Sequence, residues 1–591
     1  MCRRRVGQPL GRAARRGLSG RSGHDGSDVT AQSLFAPPAL RFGSSTLPAL
    51  LRRAAASDRG YTVLRQGEAD RRLSFAELSR KAAGAAAALR QQGMQRGDRV
   101  CLLAPTSAEL LVAIWGVWAG GGVVVVLSLP TRLSELDGYA TELTQRLEQA
   151  GASVLVVADE FADMLPSSFG DVRVQTLAEL DIGEGPEAVE AVTEADLAVL
   201  QFTSGTTARS RAVALTHGQL LSNVSALSDA LALSPADRGA SWLPLFHDMG
   251  LIIMVVAVAH PGDLVLIPTE DFARRPGCWM DAVSRFRATV TVSPSTGYAL
   301  AAKDLRWRPR DLDLSALRIA GNGAEPIDPA VLDTFAKAAG AYGMSRAALC
   351  PMYGLAEVTL AATVVRPDTG MRELSVCRDE LESARSVRMV EPGEPGSRRL
   401  VACGTPVPGT TIEIRDGDDA LPPGRVGEIY VHSPSTMSAY WRDPEGTADV
   451  LHQGWLRTGD LGFMDGDDLV VCGRSKDMII VGGRNLYPED YEQLAAGRAG
   501  VRRGNVVAFG LPESERMVVV AESRLAPDEA RRLAQELLVD MTRELSHAPE
   551  EVLIVQSGAL PKTSSGKVQR DRCRQRYRAS ELPVTASATR T

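Results

Sequence analysis

The chain has 591 residues, of which 44% are hydrophobic and 23% charged, and its formal net charge at pH 7 is -6. These proportions are typical of globular proteins and exclude a chain that is disordered throughout. The slight excess of acid argues against nucleic acid as a partner, because nucleic-acid-binding proteins are usually strongly basic. Only six of the 66 basic residues are lysine. Those six are therefore candidates for roles in which arginine cannot replace a compact ammonium group.

The N-terminal residues are rich in arginine. Residues 1–23 contain seven arginines and no acid, and we predict a disordered tail over residues 1–28. A transit peptide, which is also Arg-rich and acid-poor, is the alternative. A secretory signal is excluded because the segment has no apolar core of about 7–15 residues.

Helices and apolar strands alternate along most of the chain. Ser74 and Glu77 predict a capping box that starts a helix over residues 74–92. The uncharged stretch Leu110–Leu129 is long enough for a membrane span. Gly120–Gly122 divides it, however, into a helix and a buried strand at Val123–Leu127, so we predict no integral membrane segment. Further strands are predicted at Val100–Leu103, Val154–Val157, Ala198–Phe202, Leu264–Ile267 and Val290–Val292.

This alternation predicts an α/β fold with parallel sheets. From Val401 onward glycine and proline become dense and the predicted strands shorten, as at Gly427–Val431 and Leu469–Val471, which indicates a small β-rich subdomain. The segment Val365–Arg399 is rich in charge, proline and glycine. It is long for a loop, and loops of that length are usually functional or disordered.

The eight cysteines are scattered and form no CxxC pair. In a chain of this length they predict buried thiols in a reducing cytoplasm rather than a disulfide framework. We therefore expect a cytoplasmic protein.

The strongest local motif is FTSGTT at residues 202–207, which follows a predicted strand. Small hydroxyl residues and a glycine let a loop wrap closely around phosphate, with hydroxyl and backbone N–H groups as donors. The segment lacks the Walker pattern GxxxxGK[ST]. On its own it is equally consistent with an ordinary turn.

Further motifs follow in order: WLPLFHDMGL at 242–251, NGAEPI at 322–327, YGLAE at 353–357, LRTGD at 456–460, GRSKD at 473–477, GGRNLYPED at 482–490 and PKTSSGKVQR at 561–570. Together they resemble the adenylate-forming superfamily of acyl-CoA synthetases, peptide-synthetase adenylation domains and luciferases, over roughly residues 45–578. Four of them (WLPLFHDMGL, NGAEPI, YGLAE and GGRNLYPED) are most similar to the fatty acyl-AMP ligase branch. That branch carries an insertion where residues 365–399 fall.

The resemblance implies an α/β architecture in two parts. A large N-terminal domain over residues 29–474 would combine layered α/β subdomains, the insertion at 365–399 and a small β-rich subdomain. A mobile α+β C-terminal domain would span residues 475–580, with its hinge at Lys476. Residues 581–591 would form a tail.

The resemblance also implies the chemistry. Members of the branch use ATP and Mg²⁺ to convert a fatty acid to acyl-AMP and pyrophosphate. They then pass the acyl group to the phosphopantetheine of an acyl carrier protein, which here would act in trans, in polyketide, nonribosomal peptide or lipid biosynthesis. They do not make acyl-CoA efficiently.

Specific residues inherit roles from the matching motifs. Lys567 would contact the carboxylate and α-phosphate, His247 would lie near the reacting carboxylate, and Glu357 would hold Mg²⁺. The nucleotide site comprises residues for pyrophosphate (Thr203, Ser204, Thr206 and Thr207), for adenine (Asn322, Gly323, Ala324 and Tyr353) and for ribose (Asp460 and Arg474), and Gly205, Glu325 and Gly354 also belong to it. Candidate acyl-pocket residues are Met249, Ile252, Ser295, Thr296 and Tyr298.

Departures from the family pattern leave alternatives open. After TSGTT the superfamily usually reads G-x-P-K-G, whereas residues 208–212 read ARSRA, which predicts a weaker grip on phosphate. An acyl- or aryl-CoA ligase on the same fold is one alternative, and a catalytically silent nucleotide- or acyl-binding protein is another. The basic end at Lys562–Arg578 would either steer an acidic carrier protein or form a solvated face.

Overall fold

The computed structural model describes residues 42–130, 136–166, 168–180, 183–185, 192–203, 210–511, 514–545, 547–563 and 566–590. The tail predicted over residues 1–28 lies outside these ranges, as do Ser204, Gly205, Thr206 and Thr207 of the predicted phosphate loop. The described residues belong to one compact unit.

The helices of the large domain, in chain order, are α1 (Leu47–Ala54), α2 (Phe75–Gln91), α3 (Ala108–Ala119), α4 (Leu136–Ala150), α5 (Asp159–Ala162), α6 (Leu177–Leu180), α7 (His217–Ala230), α8 (Asp248–Ala259), α9 (Thr269–Arg274), α10 (Gly277–Arg285), α11 (Ser295–Trp307), α12 (Pro329–Gly340), α13 (Arg378–Ala384) and α14 (Pro444–Val450). Short 3-10 turns occur at Arg346–Ala348, Ala356–Val358 and Ser475–Asp477. The C-terminal domain contains α15 (Pro488–Ala496), α16 (Pro527–Glu544) and α17 (Arg570–Arg578).

The strands of the large domain are β1 (Gly60–Val63), β2 (Arg71–Ser74), β3 (Arg99–Leu103), β4 (Val123–Val126), β5 (Val154–Val157), β6 (Arg173–Thr176), β7 (Leu197–Phe202), β8 (Ala212–Thr216), β9 (Arg238–Ser241), β10 (Asp263–Leu266), β11 (Val290–Ser293), β12 (Ile319–Asn322), β13 (Leu349–Gly354), β14 (Ala361–Val364), β15 (Glu373–Cys377), β16 (Ser397–Val401), β17 (Thr405–Pro406), β18 (Thr411–Asp416), β19 (Asp419–Ala420), β20 (Gly427–His432), β21 (Ala439–Tyr440), β22 (Leu451–His452), β23 (Trp455–Asp465) and β24 (Asp468–Arg474). The C-terminal domain adds β25 (Ile479–Val481), β26 (Arg484–Leu486), β27 (Val501–Leu511), β28 (Arg516–Ser523), β29 (Glu551–Gln556) and β30 (Val584–Thr589).

Two largely parallel sheets form the body of the large domain. The first has the order β17-β14-β13-β12-β11-β9-β10-β1-β2 and is parallel from β13 to β1. The second has the order β21-β8-β7-β4-β3-β5-β6 and is parallel from β7 to β6. One hydrophobic core joins residues of both sheets with α2, α3, α7 and α8. The predicted α/β fold with parallel sheets is therefore confirmed.

The strand predictions agree with the structure apart from small differences at their ends. The uncharged stretch Leu110–Leu129 forms α3 and β4, as the glycines between them indicated. None of the described helices combines the length and apolarity that a membrane crossing needs. At α2, Ser74 Oγ accepts the Glu77 N–H at 3.1 Å, but the Glu77 carboxylate pairs with Arg71 at 2.7 Å. The structure therefore contains one of the two hydrogen bonds of the predicted capping box, the one that Ser74 accepts.

A third, antiparallel sheet of β18, β19, β20, β22, β23 and β24 forms the β-rich part of the chain. The smaller C-terminal domain packs α15, α16 and α17 on a four-stranded sheet of order β27-β28-β29-β30. Residues 581–591, expected as a tail, contain β30, which pairs antiparallel with β29. Its small residues gave little sign of a strand, because only Ala588 is buried against the domain core.

The segment 365–399 is folded rather than an open loop. It contributes β15 and α13, and β15 pairs antiparallel with β16. The two ends of the hairpin lie close together, because the Ala402 N–H donates to the Arg372 carbonyl at 3.0 Å. The segment is thus a hairpin with a helix, and Leu374, Val376 and Leu381 pack it against the β-rich sheet of the large domain.

Candidate active site

Several motif residues meet at the carboxyl ends of β12 and β13, where ligands bind in open α/β sheets. Asn322 ends β12, is buried, and donates to the Ser293 carbonyl at 3.0 Å. Ala324, in the following turn, has a positive φ of 65°. A left-handed backbone is costly for alanine, and such strain concentrates at functional sites.

A buried tyrosine and an ion pair link the β-rich sheet to this edge. Tyr353 donates its hydroxyl to Asp460 Oδ2 at 2.8 Å, and Arg474 Nε lies 2.9 Å from Asp460 Oδ1. Asp460 is buried. Its negative charge is the main reason that the pKa of Arg474 is raised. The arginine and the tyrosine therefore hold the carboxylate in one orientation.

Glu357 follows β13 in the YGLAE motif. Its Oε1 accepts the Tyr440 hydroxyl at 2.7 Å, and its backbone carbonyl accepts the Met437 N–H at 2.7 Å. Burial raises the pKa of the carboxyl group, while the Tyr440 hydrogen bond and the charge of Arg474 act in the opposite direction. Tyr440 thus both orients Glu357 and favours its charged form.

The HDMG segment forms the start of α8. His247 is the N-cap residue, and its Nδ1 lies 2.5 Å from Asp248 Oδ1, which also accepts the Met249 N–H at 2.6 Å. Burial raises the pKa of Asp248, but His247, Lys567 and the N–H group outweigh it, so the net shift is downward. An aspartate at the first turn of a helix is further stabilised by the helix dipole.

Lys567 reaches this region from the C-terminal domain. Burial lowers the pKa of its ammonium, and the negative charges of Glu325, Asp248 and Asp460 oppose that shift. Glu325 is fixed in turn by Thr296, whose N–H and hydroxyl donate to its two oxygens at 3.1 and 3.2 Å. The C-terminal domain is therefore docked with its lysine among the acidic groups of the large domain.

The two ends of the predicted phosphate loop lie together. The Thr203 N–H donates to the Arg211 carbonyl at 2.8 Å, and Ser210 Oγ donates to the Thr203 carbonyl at 2.5 Å. Arg211 occupies the position at which the family pattern has lysine. Its guanidinium lies 4.8 Å from the centre of the Tyr440 ring and 3.4 Å from Asp443. The substituted cation thus packs on the tyrosine that holds Glu357.

An apolar cavity opens beside these polar groups. Its lining at this end includes Asp248, Gly323, Ala324, Tyr353 and Gly354, and its empty volume with its open mouth is about 1110 Å³. Of the candidate acyl-pocket residues, Met249 lines this cavity. Ile252, Ser295, Thr296 and Tyr298 do not: Ile252 and Tyr298 belong to the cores, Ser295 hydrogen-bonds to Asn322 and Pro326, and Thr296 holds Glu325.

The insertion binds the C-terminal domain through a buried arginine. Arg398 donates to Asp490 Oδ1 at 2.7 Å and to the Cys472 carbonyl at 2.9 Å, and its guanidinium lies 4.1 Å from the Tyr487 ring centre. Arg378 also pairs with Asp490. Cys472 precedes the predicted hinge at Lys476, whereas Tyr487 and Asp490 follow it, so these contacts span the hinge.

The basic end of the chain is partly used within the C-terminal domain. Arg570 lies close to Asp477, Glu489 and Glu492. Two further arginines are tied locally, Arg574 to Asp571 at 2.7 Å and Arg576 to the Ala559 carbonyl at 2.9 Å. The surface offered to a partner is therefore less charged than the sequence indicated.

No group of three or more His, Cys, Asp or Glu side chains suited to a metal ion occurs among the described residues. A site made wholly of protein ligands is thus not found in that part of the chain. Mg²⁺ is commonly held by one or two carboxylates together with substrate phosphates. The half-buried carboxylate of Glu357, oriented by Tyr440, fits that arrangement.

The structure brings together Lys567, His247, Tyr353, Asp460 and Arg474, which are far apart in sequence. Sequence analysis missed Asp248 and Tyr440. A signal for Asp248 was its place beside His247 at a helix start. Tyr440 lies 83 residues from Glu357 in a segment without a recognised motif, so no local pattern could have paired them.

Comparisons with known proteins identify the family to which the chain is similar. The family model described as AMP-binding enzyme matches residues 51–441. A putative acyl-CoA synthetase of Caulobacter vibrioides is 34% identical, with 93% of this chain and 99% of the relative covered. A medium-chain-fatty-acid–[acyl-carrier-protein] ligase, JamA, of Moorena producens is 31% identical, with 88% and 92% covered.

A solved structure gives the same picture. It comes from work on fatty acyl-adenylate ligases from E. coli and L. pneumophila and superposes with a TM-score of 0.85 at 32% identity. The match covers 91% of this chain and 99% of that one. It confirms the division into a large N-terminal and a smaller C-terminal domain.

Proposed function

The chain belongs to the family of AMP-binding enzymes, and we propose that it is a fatty acyl-AMP ligase that delivers its acyl group to a carrier protein. A fatty acid and ATP are converted to acyl-AMP and pyrophosphate. The acyl group then passes to the phosphopantetheine thiol of an acyl carrier protein supplied in trans. The carrier in the name of the Moorena relative supports the second step.

One observation carries the proposal: an apolar cavity opens onto the place where Lys567 meets the acidic groups of the large domain. The cavity suits the hydrocarbon of a fatty acid and would leave its carboxylate at the polar end. The ammonium of Lys567 then offsets the repulsion between the carboxylate and the α-phosphate. Such charge stabilisation is usually the largest contribution to catalysis.

In the first step a carboxylate oxygen forms a bond to the α-phosphorus, and the bond from that phosphorus to pyrophosphate breaks. Asp460, fixed by Tyr353 and Arg474, accepts hydrogen bonds from the ribose hydroxyls. Residues 203–207 bind the departing pyrophosphate, and Gly323 and Ala324 border the adenine. Asp248, which contacts His247, lines the polar end of the cavity, where the carboxylate of the acid would lie.

Glu357 would hold Mg²⁺ together with the phosphates. The ion, when bound, neutralises phosphate charge. Tyr440 orients the Glu357 carboxylate for that role and favours its charged form against the effect of burial. Arg211, packed on Tyr440, connects this position to the phosphate loop.

The second step requires the C-terminal domain to rotate at Lys476 and withdraw Lys567. The contacts of Arg398 across the hinge oppose that rotation, since separating a buried ion pair is costly. A carrier protein brings an additional interface that offsets this cost, whereas free CoA brings little. The insertion thereby favours the carrier over CoA.

Acyl-CoA synthesis is the second candidate, favoured by the name of the Caulobacter relative. Mass spectrometry of products from ATP, Mg²⁺ and a panel of acids, with and without CoA, separates the two. Acyl-AMP that accumulates without acyl-CoA supports the ligase. Rapid acyl-CoA formation would move the protein to the synthetases. Absence of any adenylate would support a silent binding protein.

A further inference from the structure

The apolar cavity follows helix α8 for its whole length. Its lining starts at Asp248, the first residue of the helix, and continues past the last residue to His260 and Gly262. His260 lies twelve positions after Asp248, which corresponds to about 18 Å at the rise of an α-helix. The helix can therefore serve as a scale for the length of a ligand.

One face of α8 forms a wall of the cavity. Ile253, Val256 and Ala257 line it at the helical spacing of three and four, and all three are only half-buried. Met254, Val255 and Val258 point away and are buried in the core. The wall is apolar and free of charge along this face, as a saturated hydrocarbon chain requires.

The far end of the cavity carries negative charge and therefore disfavours a second carboxylate on the ligand. Asp237 and Asp263 line it there. Arg318 donates to Asp237 at 2.7 and 2.8 Å, and Arg59 donates to Asp263 at 2.8 Å. Both acids already engage these arginines, so a further carboxylate at this end would meet two negative charges whose cationic partners are already in use.

We propose that the substrate is a linear monocarboxylic acid of about fourteen carbons, with α8 setting the limit. The length follows because a carbon chain advances about 1.25 Å per atom for bonds of 1.52 Å and angles near 111°. This inference rests on the proposed fatty acid activation. It adds the chain length and the exclusion of dicarboxylic acids.

The test is acyl-AMP formation, followed by pyrophosphate release and mass spectrometry, with linear saturated acids of six to eighteen carbons. We expect kcat/KM to rise up to about fourfold per methylene, the effect of burying one CH₂ group, and to stop rising near fourteen carbons. The fourteen-carbon dicarboxylic acid should react at least tenfold more slowly. A preference for acids of eight carbons or fewer, continued growth to eighteen, or equal use of the dicarboxylic acid would overturn the inference.

Two substitutions on α8 test this inference by shortening the cavity to two different lengths. Ile253→Phe blocks the cavity about 7.5 Å from Asp248 and Ala257→Phe about 13.5 Å from it. The optimum should therefore move to about six and about eleven carbons. Ala330→Phe, at an exposed position of α12, is the matched control and should keep the wild-type profile.

Activity on short acids shows that each variant is folded. If either variant retains the wild-type optimum, the scale is wrong although the proposed function stands. If the wild type forms no adenylate from any acid, the proposed function itself fails and the inference fails with it.

Discussion

The polar end of the candidate site and its apolar cavity are built in different ways. The polar end combines Asp460 and Arg474 of the β-rich sheet with Lys567 of the C-terminal domain. The cavity is formed by α8 and the strands beside it, all within the large domain. Reactivity therefore depends on how two domains meet, whereas the choice of acid depends on one rigid wall. Changes to residues that belong to only one of the two parts should leave the other part intact.

Removing the lysine should give the largest effect. We expect Lys567→Ala to slow acyl-AMP formation by at least ~100-fold, since the loss of one preorganised group that stabilises charge usually costs this much. The order of preference among acids should be unchanged, because the cavity is untouched. Pyrophosphate release measured over the acid panel checks both points.

Lys562→Ala is the matched control for that variant. Lys562 is exposed and donates to the Gly504 carbonyl within its own domain, so its loss should change the rate only slightly. A Lys567→Ala enzyme that stays within tenfold of wild type would contradict the proposed role.

The contact of the insertion with the C-terminal domain should affect both stability and thiol choice. Arg398→Ala leaves Asp490 buried with Arg378 as its remaining partner, and breaking a buried pair costs about 3–5 kcal/mol. We expect a lower melting temperature and faster CoA-dependent turnover, measured by calorimetry and by acyl-CoA formation. Excising residues 373–401 and joining Arg372 to Ala402 through a short glycine linker should also speed CoA turnover.

Arg399→Ala provides the comparison for that change. Arg399 is the neighbour of Arg398 on β16, but it is exposed and pairs with Glu373 and Asp333, so its loss should cost at most ~1 kcal/mol. Unchanged CoA turnover after both Arg398→Ala and the excision would rule out the proposed role of the insertion.

Tyr440→Phe should have a smaller effect that is confined to the polar end. Loss of the hydroxyl removes a hydrogen bond that lowers the pKa of Glu357, so the acidic limb of the rate profile should move to higher pH. The Mg²⁺ concentration for half-maximal rate should rise about tenfold, as is common when a group that orients a metal ligand is lost. Titrating Mg²⁺ at several pH values measures both.

Tyr342→Phe serves as its control, because that hydroxyl donates to the Leu305 carbonyl at 3.2 Å away from the site. Equal Mg²⁺ dependence in the two variants would show that Tyr440 does not act through Glu357.

The smallest expected effect concerns Glu489 near the hinge. Burial raises the pKa of this carboxyl to about 7, against the opposing charge of Arg570. The folded protein thus binds this proton more tightly than the unfolded chain, so the stabilisation is complete below pH 4.5 and is lost as the pH rises through about 7. Glu489→Gln should flatten the dependence of the melting temperature on pH between 5 and 8.

Glu536→Gln, at an exposed position of α16, should leave the pH dependence as it is in the wild type. A Glu489→Gln protein with the same pH dependence would show that this carboxyl does not titrate in that range.

The sequence was most informative where local patterns suffice. The glycines at 120–122 indicated where α3 ends and β4 begins. Lys567 drew attention because it lies in the motif SSGK and because lysine is rare among the basic residues of this chain. The sequence could not reveal Tyr440, whose importance comes from a contact with a distant segment, whereas Asp248 was overlooked although it stands beside His247 at a helix start. Strand β30 was also not predicted. Its small residues show no strand pattern of their own, and they form a strand through pairing with β29. The cavity could not be predicted from the sequence either, because its walls come from residues throughout the range 227–361.

Tyr353 does more than orient Asp460, because it belongs to both parts of the candidate site. Its side chain is part of the cavity wall, and its hydroxyl holds Asp460. A hydrocarbon chain that presses on the ring therefore acts on the nucleotide side as well. By thermodynamic linkage, any gain in ATP affinity that a bound acid produces must be matched by an equal gain in acid affinity when ATP is present. The two substrates should then bind cooperatively, with one aromatic ring as the connection between them.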